Sequence, residues 1–104
     1  MSTDLFRILI VDDEEGMREG LQKALSLAGF TVEIAADAAA GLRKLEAGSF
    51  DLAFVDYRLP DVDGIEFVRR SGSSEMKIVM ITAHASVENA VTAMKQGAAD
   101  YLIK

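Results

Sequence analysis

The sequence contains no cysteine. That excludes a disulfide framework and a thiolate metal site, and it suits a reducing compartment. A single histidine, His84, leaves oxygen as the ligand atom for any metal the chain could hold. Positive charge is scarce. Lys and Arg number 11 against 17 Asp and Glu, a net charge of −6. Binding nucleic acid or an anionic membrane surface needs clustered Lys and Arg, so neither is expected of this chain. No apolar run approaches the length of a membrane span. The start, Met1-Ser-Thr-Asp-Leu-Phe-Arg7, lacks the basic-then-apolar order of a signal peptide. Neither a Gly-x-Gly-x-x-Gly nor a Walker loop follows the first apolar run, which argues against a nucleotide-binding half-domain. Repeats, linkers and low-complexity segments are absent.

Half of the 104 residues are hydrophobic, enough for the core of one domain spanning 1–104. Two short runs, Ile8-Leu9-Ile10-Val11 and Leu52-Ala53-Phe54-Val55, are too apolar for exposed segments and read as strands buried on both faces. The first ends in Asp12-Asp13 and the second in Asp56, followed at once by a loop containing Pro60 and Gly64. Phe30 to Ala35 alternates and reads as a half-exposed edge strand. Ile78-Val-Met-Ile81 is another wholly apolar strand, and Ala99 to Lys104 is a fifth. Between them lie helices. Glu14 to Ala28 has an apolar face of Met17, Leu21, Ala24, Leu25 and Ala28, with Arg18, Glu19, Gln22, Lys23 and Ser26 opposite. Ala38 to Ala47 has Asp37 as N-cap and Leu42 and Leu45 as anchors. Ile65 to Arg70 turns Ile65, Phe67 and Val68 inward, and Ser71-Gly-Ser-Ser74 is a polar loop. Val87 to Gln96 has Ser86 as cap and Val87, Ala90, Val91 and Met94 as its face. Gly29, Gly48 and Gly97 close helices. Strand–helix alternation with short links predicts an α/β domain: a parallel sheet, right-handed crossovers and helices on both faces. The order stops on a strand. One more helix, on the order of 10–14 residues, is expected to complete one layer, so the chain reads as part of a longer one. The apolar face near Tyr101 and Ile103 is expected to stay open.

Parallel strands place Asp12, Asp13, Asp56, Thr82 and Lys104 at one edge of the sheet, where α/β folds keep their ligand crevices. Each has an ordinary alternative: Asp-Asp at a helix N-terminus complements its dipole, Asp56 suits a turn, Thr82 a strand and Lys104 a solvated end. Together they point to chemistry. Three neighbouring carboxylates repel unless a cation sits among them. Oxygen ligands select a hard cation, and few protein ligands with room for water favour Mg²⁺ over Ca²⁺. Mg²⁺ on one or two carboxylates serves a phosphoryl group, and a carboxylate is also a phosphoryl acceptor. Thr82 and Lys104 are placed to contact phosphoryl oxygens.

From Arg7 to Lys104 the chain resembles a response-regulator receiver domain of two-component signalling. The resemblance rests on Ile10-Val-Asp12-Asp13, Val55-Asp56 with Leu59-Pro60 and Asp63-Gly64, Ile81-Thr82-Ala83, and Gly97-Ala-Ala-Asp100-Tyr101-Leu-Ile-Lys104. Thr82-Ala-His84 with Val91-Thr-Ala-Met-Lys-Gln-Gly97 is most similar to receivers of nitrogen-regulation-type transcriptional activators. The resemblance implies a flavodoxin-like, doubly wound five-stranded sheet of order 2-1-3-4-5, here without the fifth helix. It implies a phosphoacceptor, Asp56, that takes a phosphoryl group from a sensor histidine kinase. Mg²⁺ would be held by Asp13, Asp56 and the backbone carbonyl of Arg58, with Asp12 acting through water. Thr82 and Lys104 would contact the phosphoryl group, while Tyr101 would turn inward as Thr82 moves. The location implied is the cytoplasm, and the role is that of a signalling domain rather than an enzyme. Its output domain or the transcription machinery would be the downstream partner, and a homodimer is open. His84 falls where the family tunes access of water, and the Arg58 side chain falls at the site mouth. The chain departs from the family in lacking Pro after Lys104 and in a shorter segment from Ile65 to Met76. The first departure bears on the dimerisation and output surface, not on phosphorylation. Two rivals remain: a degenerate receiver used as a phosphorylation-independent scaffold, and an aspartyl phosphatase or phosphotransferase. The intact set of Asp12, Asp13, Asp56, Thr82 and Lys104 speaks against the first. Arg58, where a second carboxylate would be needed, speaks against the other, as does the absence of a cap domain.

Overall fold

The structure, a computed structural model, describes residues 6–71, 76–83 and 87–103. Among them five strands alternate with four helices: β1 (Arg7–Val11), α1 (Glu15–Leu27), β2 (Thr31–Ala35), α2 (Ala38–Ala47), β3 (Leu52–Asp56), α3 (Gly64–Ser71), β4 (Lys77–Thr82), α4 (Val87–Lys95) and β5 (Asp100–Ile103). All strand pairs are parallel and the sheet order is β2-β1-β3-β4-β5, as the flavodoxin-like reading implies. Right-handed crossovers assign each helix its face. The chain moves one way across the sheet from β1 to β2 and the other way at every later net step. α1 therefore covers one face, and α2, α3 and α4 cover the other.

Period-two alternation sorts the strand residues accordingly. Leu9, Val11, Ala53, Val55, Ile78 and Met80 face α2–α4 and pack with Phe67, Val68 and Ala93 in the main core. Large side chains of this kind contribute about 1.5–3 kcal/mol each when fully buried, so this side carries most of the apolar stabilisation. Ile8, Ile10 and Ile81 are buried on the opposite face, where α1 lies over β1 and β2. None of the α1 residues is buried: Met17, Leu21 and Leu25 reach half-burial, and Ala24 and Ala28 stay exposed. The helix ends follow sequence chemistry. Gly29 (φ 101°) and Gly97 (φ 118°) take the left-handed conformation after α1 and α4. Gly48 does not. It ends α2 in extended backbone (φ −171°), a conformation open to any residue. The expected Ser86 cap and the loop 72–74 lie outside the described residues.

Two expectations are corrected. The face read for α4 is rotated: Ala93 is fully buried and Ala90 half-buried, whereas Val91 and Met94 are each 47% exposed. Ala90 and Ala93 lie three residues apart on another face of the same helix. Small residues let the helix approach the sheet closely, so that face turns inward in place of the larger one. The open face was expected near Tyr101 and Ile103. In register Tyr101 pairs with Met80 and packs against the core, while Leu102 pairs with Ile81 and faces the α1 side. Half-buried Phe54 and Val79 adjoin it there, Leu102 is 45% exposed, and Ile103 on the other face is 71% exposed.

Candidate acidic site at the strand ends

Register builds the site. Val11 pairs with Val55, so the residues that follow each of them, Asp12 and Asp56, emerge side by side at the carboxyl edge. Asp56 pairs in turn with Ile81, which puts Thr82 one residue further along the neighbouring strand. Asp12, Asp13 and Asp56 come together, each with a carboxylate oxygen within 4.8 Å of the others. Asp12 and Thr82 are fully buried, Asp56 is 6% exposed, and Asp13 is exposed. Buried carboxylates at this spacing are strongly unfavourable unless paired or joined by a cation. A donor set made only of carboxylate oxygens fits a hard divalent ion.

Backbone groups fix the orientation of these side chains. The Asp12 carboxylate accepts the Glu14 N–H (2.9 Å), which anchors the entry to α1. The Asp56 carboxylate accepts the Arg58 N–H (3.2 Å), a local bond that turns the chain just after the strand. The loop from Tyr57 to Gly64 is closed at its base by the Gly64 N–H donating to the Tyr57 carbonyl (2.6 Å) and by a bridge between Arg58 and Asp63. Asp63 also accepts the Glu66 N–H (2.8 Å) and so starts α3. Gly64 has no room for a side chain. A Cβ there would overlap the Asp56 carbonyl oxygen and lie 2.5 Å from Met80 Cε. The motif Asp63-Gly64 is therefore a packing requirement of the acceptor loop.

Of the residues singled out from sequence, the structure brings Asp12, Asp13, Asp56 and Thr82 to one edge and places Arg58 in the adjoining loop, its side chain exposed. Tyr101 is half-buried against the core, on the strand next to β4. Lys104 and His84 lie outside the described residues. Two contributors were missed. Arg18, read as part of the solvent side of α1, is half-buried, and its guanidinium donates to the Asp12 carbonyl (2.8 Å). Asp61, read only as a loop residue, caps α2 from a distance. Helical spacing carries no signal for either, because both reach across to another element.

A family model for the response regulator receiver domain matches residues 8–104. The chain belongs to the response-regulator receiver family. It is 40% identical over 100 residues to the transcriptional regulatory protein CusR of Escherichia coli K12, covering 94% of this chain and 44% of CusR. The receiver chain thus spans less than half the length of that relative. A CheY-like receiver domain protein from Methanospirillum hungatei superposes with a TM-score of 0.92 at 41% identity, over 97% of this chain and 82% of the other. The beryllofluoride-activated NtrC4 receiver domain dimer is similar at TM-score 0.89 and 32% identity, covering 96% and 84%. This agrees with the likeness to nitrogen-regulation-type receivers. A Burkholderia pseudomallei response regulator, solved with a phosphorylated aspartic acid, a calcium ion and citrate, matches at TM-score 0.90 and 29% identity, covering 94% and 59%. Among the described residues of this receiver domain, no helix is long and apolar enough to cross a membrane.

Proposed function

We propose that this receiver domain accepts a phosphoryl group on Asp56 from a phosphohistidine of a sensor kinase. The gathering of Asp12, Asp13 and nearly buried Asp56 at one strand edge carries this reading. An Asp56 carboxylate oxygen attacks phosphorus, a P–O bond forms, the P–N bond to the donor imidazole breaks, and the imidazole leaves and is reprotonated from solvent. Asp13, Asp56 and the Arg58 carbonyl would hold Mg²⁺, with Asp12 acting through water; the ion, when bound, offsets charge on the phosphoryl oxygens. The Burkholderia relative, solved with a phosphorylated aspartic acid and a calcium ion, supports a divalent ion at this place. The carboxylate of Asp56 is held for attack by the Arg58 N–H. Buried Thr82, one residue beyond the partner of Asp56, supplies a hydroxyl to one phosphoryl oxygen, and Lys104 supplies a charge to another.

Phosphorylation adds about −1.5 to −2 charge beside Thr82. New contacts there bias Tyr101 and the surface of α4 and β5. Exposed Val91 and Met94 belong to that surface. A homodimer, as in the activated NtrC4 receiver, and an output domain acting on transcription are the partners the family favours. The domain works in the cytoplasm as a signalling module and assists its own phosphorylation and dephosphorylation.

Intact-mass spectrometry after incubation with acetyl phosphate and Mg²⁺ tests the acceptor. The wild type gains one phosphate and Asp56→Asn gains none. A full gain in the variant would place the acceptor elsewhere, and no gain in the wild type would favour the phosphorylation-independent scaffold.

A further inference from the structure

The first N–H groups of a helix have no partner within it. In α2 they are satisfied by two carboxylates of different origin. Asp37, the residue before the helix, accepts the Ala40 N–H (2.7 Å) in the usual local way. Asp61 comes from the acceptor loop, 23 and 22 positions away, and takes the Ala38 N–H on Oδ1 (3.0 Å) and the Ala39 N–H on Oδ2 (2.9 Å). Oδ1 also accepts the Val62 N–H (3.0 Å), which locks the side chain to its own loop. Burial raises the Asp61 pKa, but N–H donation from Ala39, Ala38, Asp61 itself and Val62 outweighs it, and the carboxyl stays below its usual range. The charged form is therefore the one that makes these bonds.

The loop is pinned at its base by the Tyr57–Gly64 hydrogen bond and the Arg58–Asp63 bridge. Its tip, Pro60 to Val62, is held by half-buried Leu59 and Val62 and by the bidentate bond of Asp61 to α2. We infer that Asp61 is a positioning residue: it ties the tip of the acceptor loop to the N-terminus of α2 and thereby sets where the Arg58 carbonyl points. The inference rests on the proposed metal site for its consequence but on the observed hydrogen bonds for the tie itself. Asp61→Ala would leave two α2 N–H groups without their carboxylate and release the tip while sparing every proposed ligand.

The experiment compares Asp61→Ala, Asp61→Asn and Asp37→Ala with the wild type by ¹⁵N–¹H spectra without metal, and by Mg²⁺ titration. Asp37→Ala removes a cap from the same helix with no link to the loop, so it controls for lost helix stability. Asp61→Asn keeps one acceptor oxygen and loses the charge, so it separates the tie from simple electrostatics. The expected result is that Asp61→Ala shifts the amide signals of residues 58–64 and weakens Mg²⁺ binding about three- to tenfold, on the scale of lost outer-shell partners or below it. Asp61→Asn should recover much of that loss, and Asp37→Ala should lower the melting temperature without moving either readout. Equal effects of Asp61→Ala and Asp37→Ala on the loop signals, or equal Mg²⁺ affinities of Asp61→Ala and Asp61→Asn, would overturn the inference. If the loop signals move as expected but Asp13→Asn binds Mg²⁺ as well as the wild type, the metal-site reading fails and the tie stands.

Discussion

Asp12 and Asp13 are adjacent in sequence and unlike in setting. Asp12 is fully buried, with its carboxylate on the Glu14 N–H and its carbonyl under the Arg18 guanidinium, so it serves the architecture of the strand end as well as the site. Asp13 is exposed and makes the charge of the site accessible. Their pairing with Asp56 was legible because strand ends in a parallel sheet share an edge. The part played by Arg18 was not, since its place on α1 looked like solvent. Away from the site, Glu33 of β2 joins Arg7 of β1 (2.5 Å) and Lys44 of α2 (3.2 Å). Burial raises its pKa, and the hydrogen bonds and charges of Lys44 and Arg7 more than offset this, so the net shift is downward from 4.5. A carboxyl with a lowered pKa in the folded state stabilises fully above its ordinary value and loses that contribution as pH falls through the lowered one. These pairs are more than a third exposed, so each is worth only about 0.2–1 kcal/mol. At about 4–8 °C per kcal/mol for a domain near this size, Glu33→Gln should melt a few degrees below the wild type at pH 7. Melts repeated down the pH scale should show the gap unchanged to about pH 5 and closing below it. A gap that stayed constant to pH 2 would mean the side chain acts through packing rather than charge.

At the scale of elements, α4 tests how far periodicity can be trusted. Two faces compete on it, Val87–Ala90–Val91–Met94 at three- and four-residue spacing and the smaller pair Ala90–Ala93, and hydrophobicity alone favours the first. The second faces the sheet, because a helix packed close to strands selects side chains by volume as well as polarity. Ala93 has no exposed surface, whereas Val91 is 47% exposed. Ala93→Leu should therefore overpack the interface and cost about 1–3 kcal/mol, while Val91→Ser should fall within about 0.5 kcal/mol of the wild type. Urea unfolding of both variants decides between the two faces, and a larger loss from Val91→Ser would restore the first. Where a helix has one unambiguous apolar stripe the sequence was sufficient, as with Ile65, Phe67 and Val68 of α3, all buried. The strands were equally plain, apart from single-residue shifts at their ends. What local pattern could not carry were contacts made across elements, such as Asp61 on α2. The open side of β5 needed pairing register to assign. Each depends on which elements become neighbours, and that is decided only when the sheet order forms.

The whole molecule carries a net charge of −6 and concentrates three of its carboxylates at one edge. A site of this kind trades stability for function: the charges that attract a cation repel one another until it arrives. At their observed spacing, within 4.8 Å, two unit charges in a water-like dielectric repel by about 1 kcal/mol, and more where burial lowers the dielectric. Replacing exposed Asp13 by Asn removes two such repulsions. It also removes an acidic group near the N-terminus of α1, an effect worth about 0.3–1 kcal/mol in the opposite direction. The repulsions are the larger sum, so Asp13→Asn should melt a few degrees above the wild type in buffer with chelator. Added Mg²⁺ should reverse the order. A ligand at ten times its Kd stabilises the form that binds it by RT ln 11, about 1.4 kcal/mol, and the wild type should gain several degrees while the variant gains little. Calorimetric scans of both proteins with chelator and across a Mg²⁺ series separate the terms. If both melt alike with chelator and rise alike with Mg²⁺, Asp13 is neither a source of repulsion nor a ligand, and the ion binds elsewhere on the acidic surface.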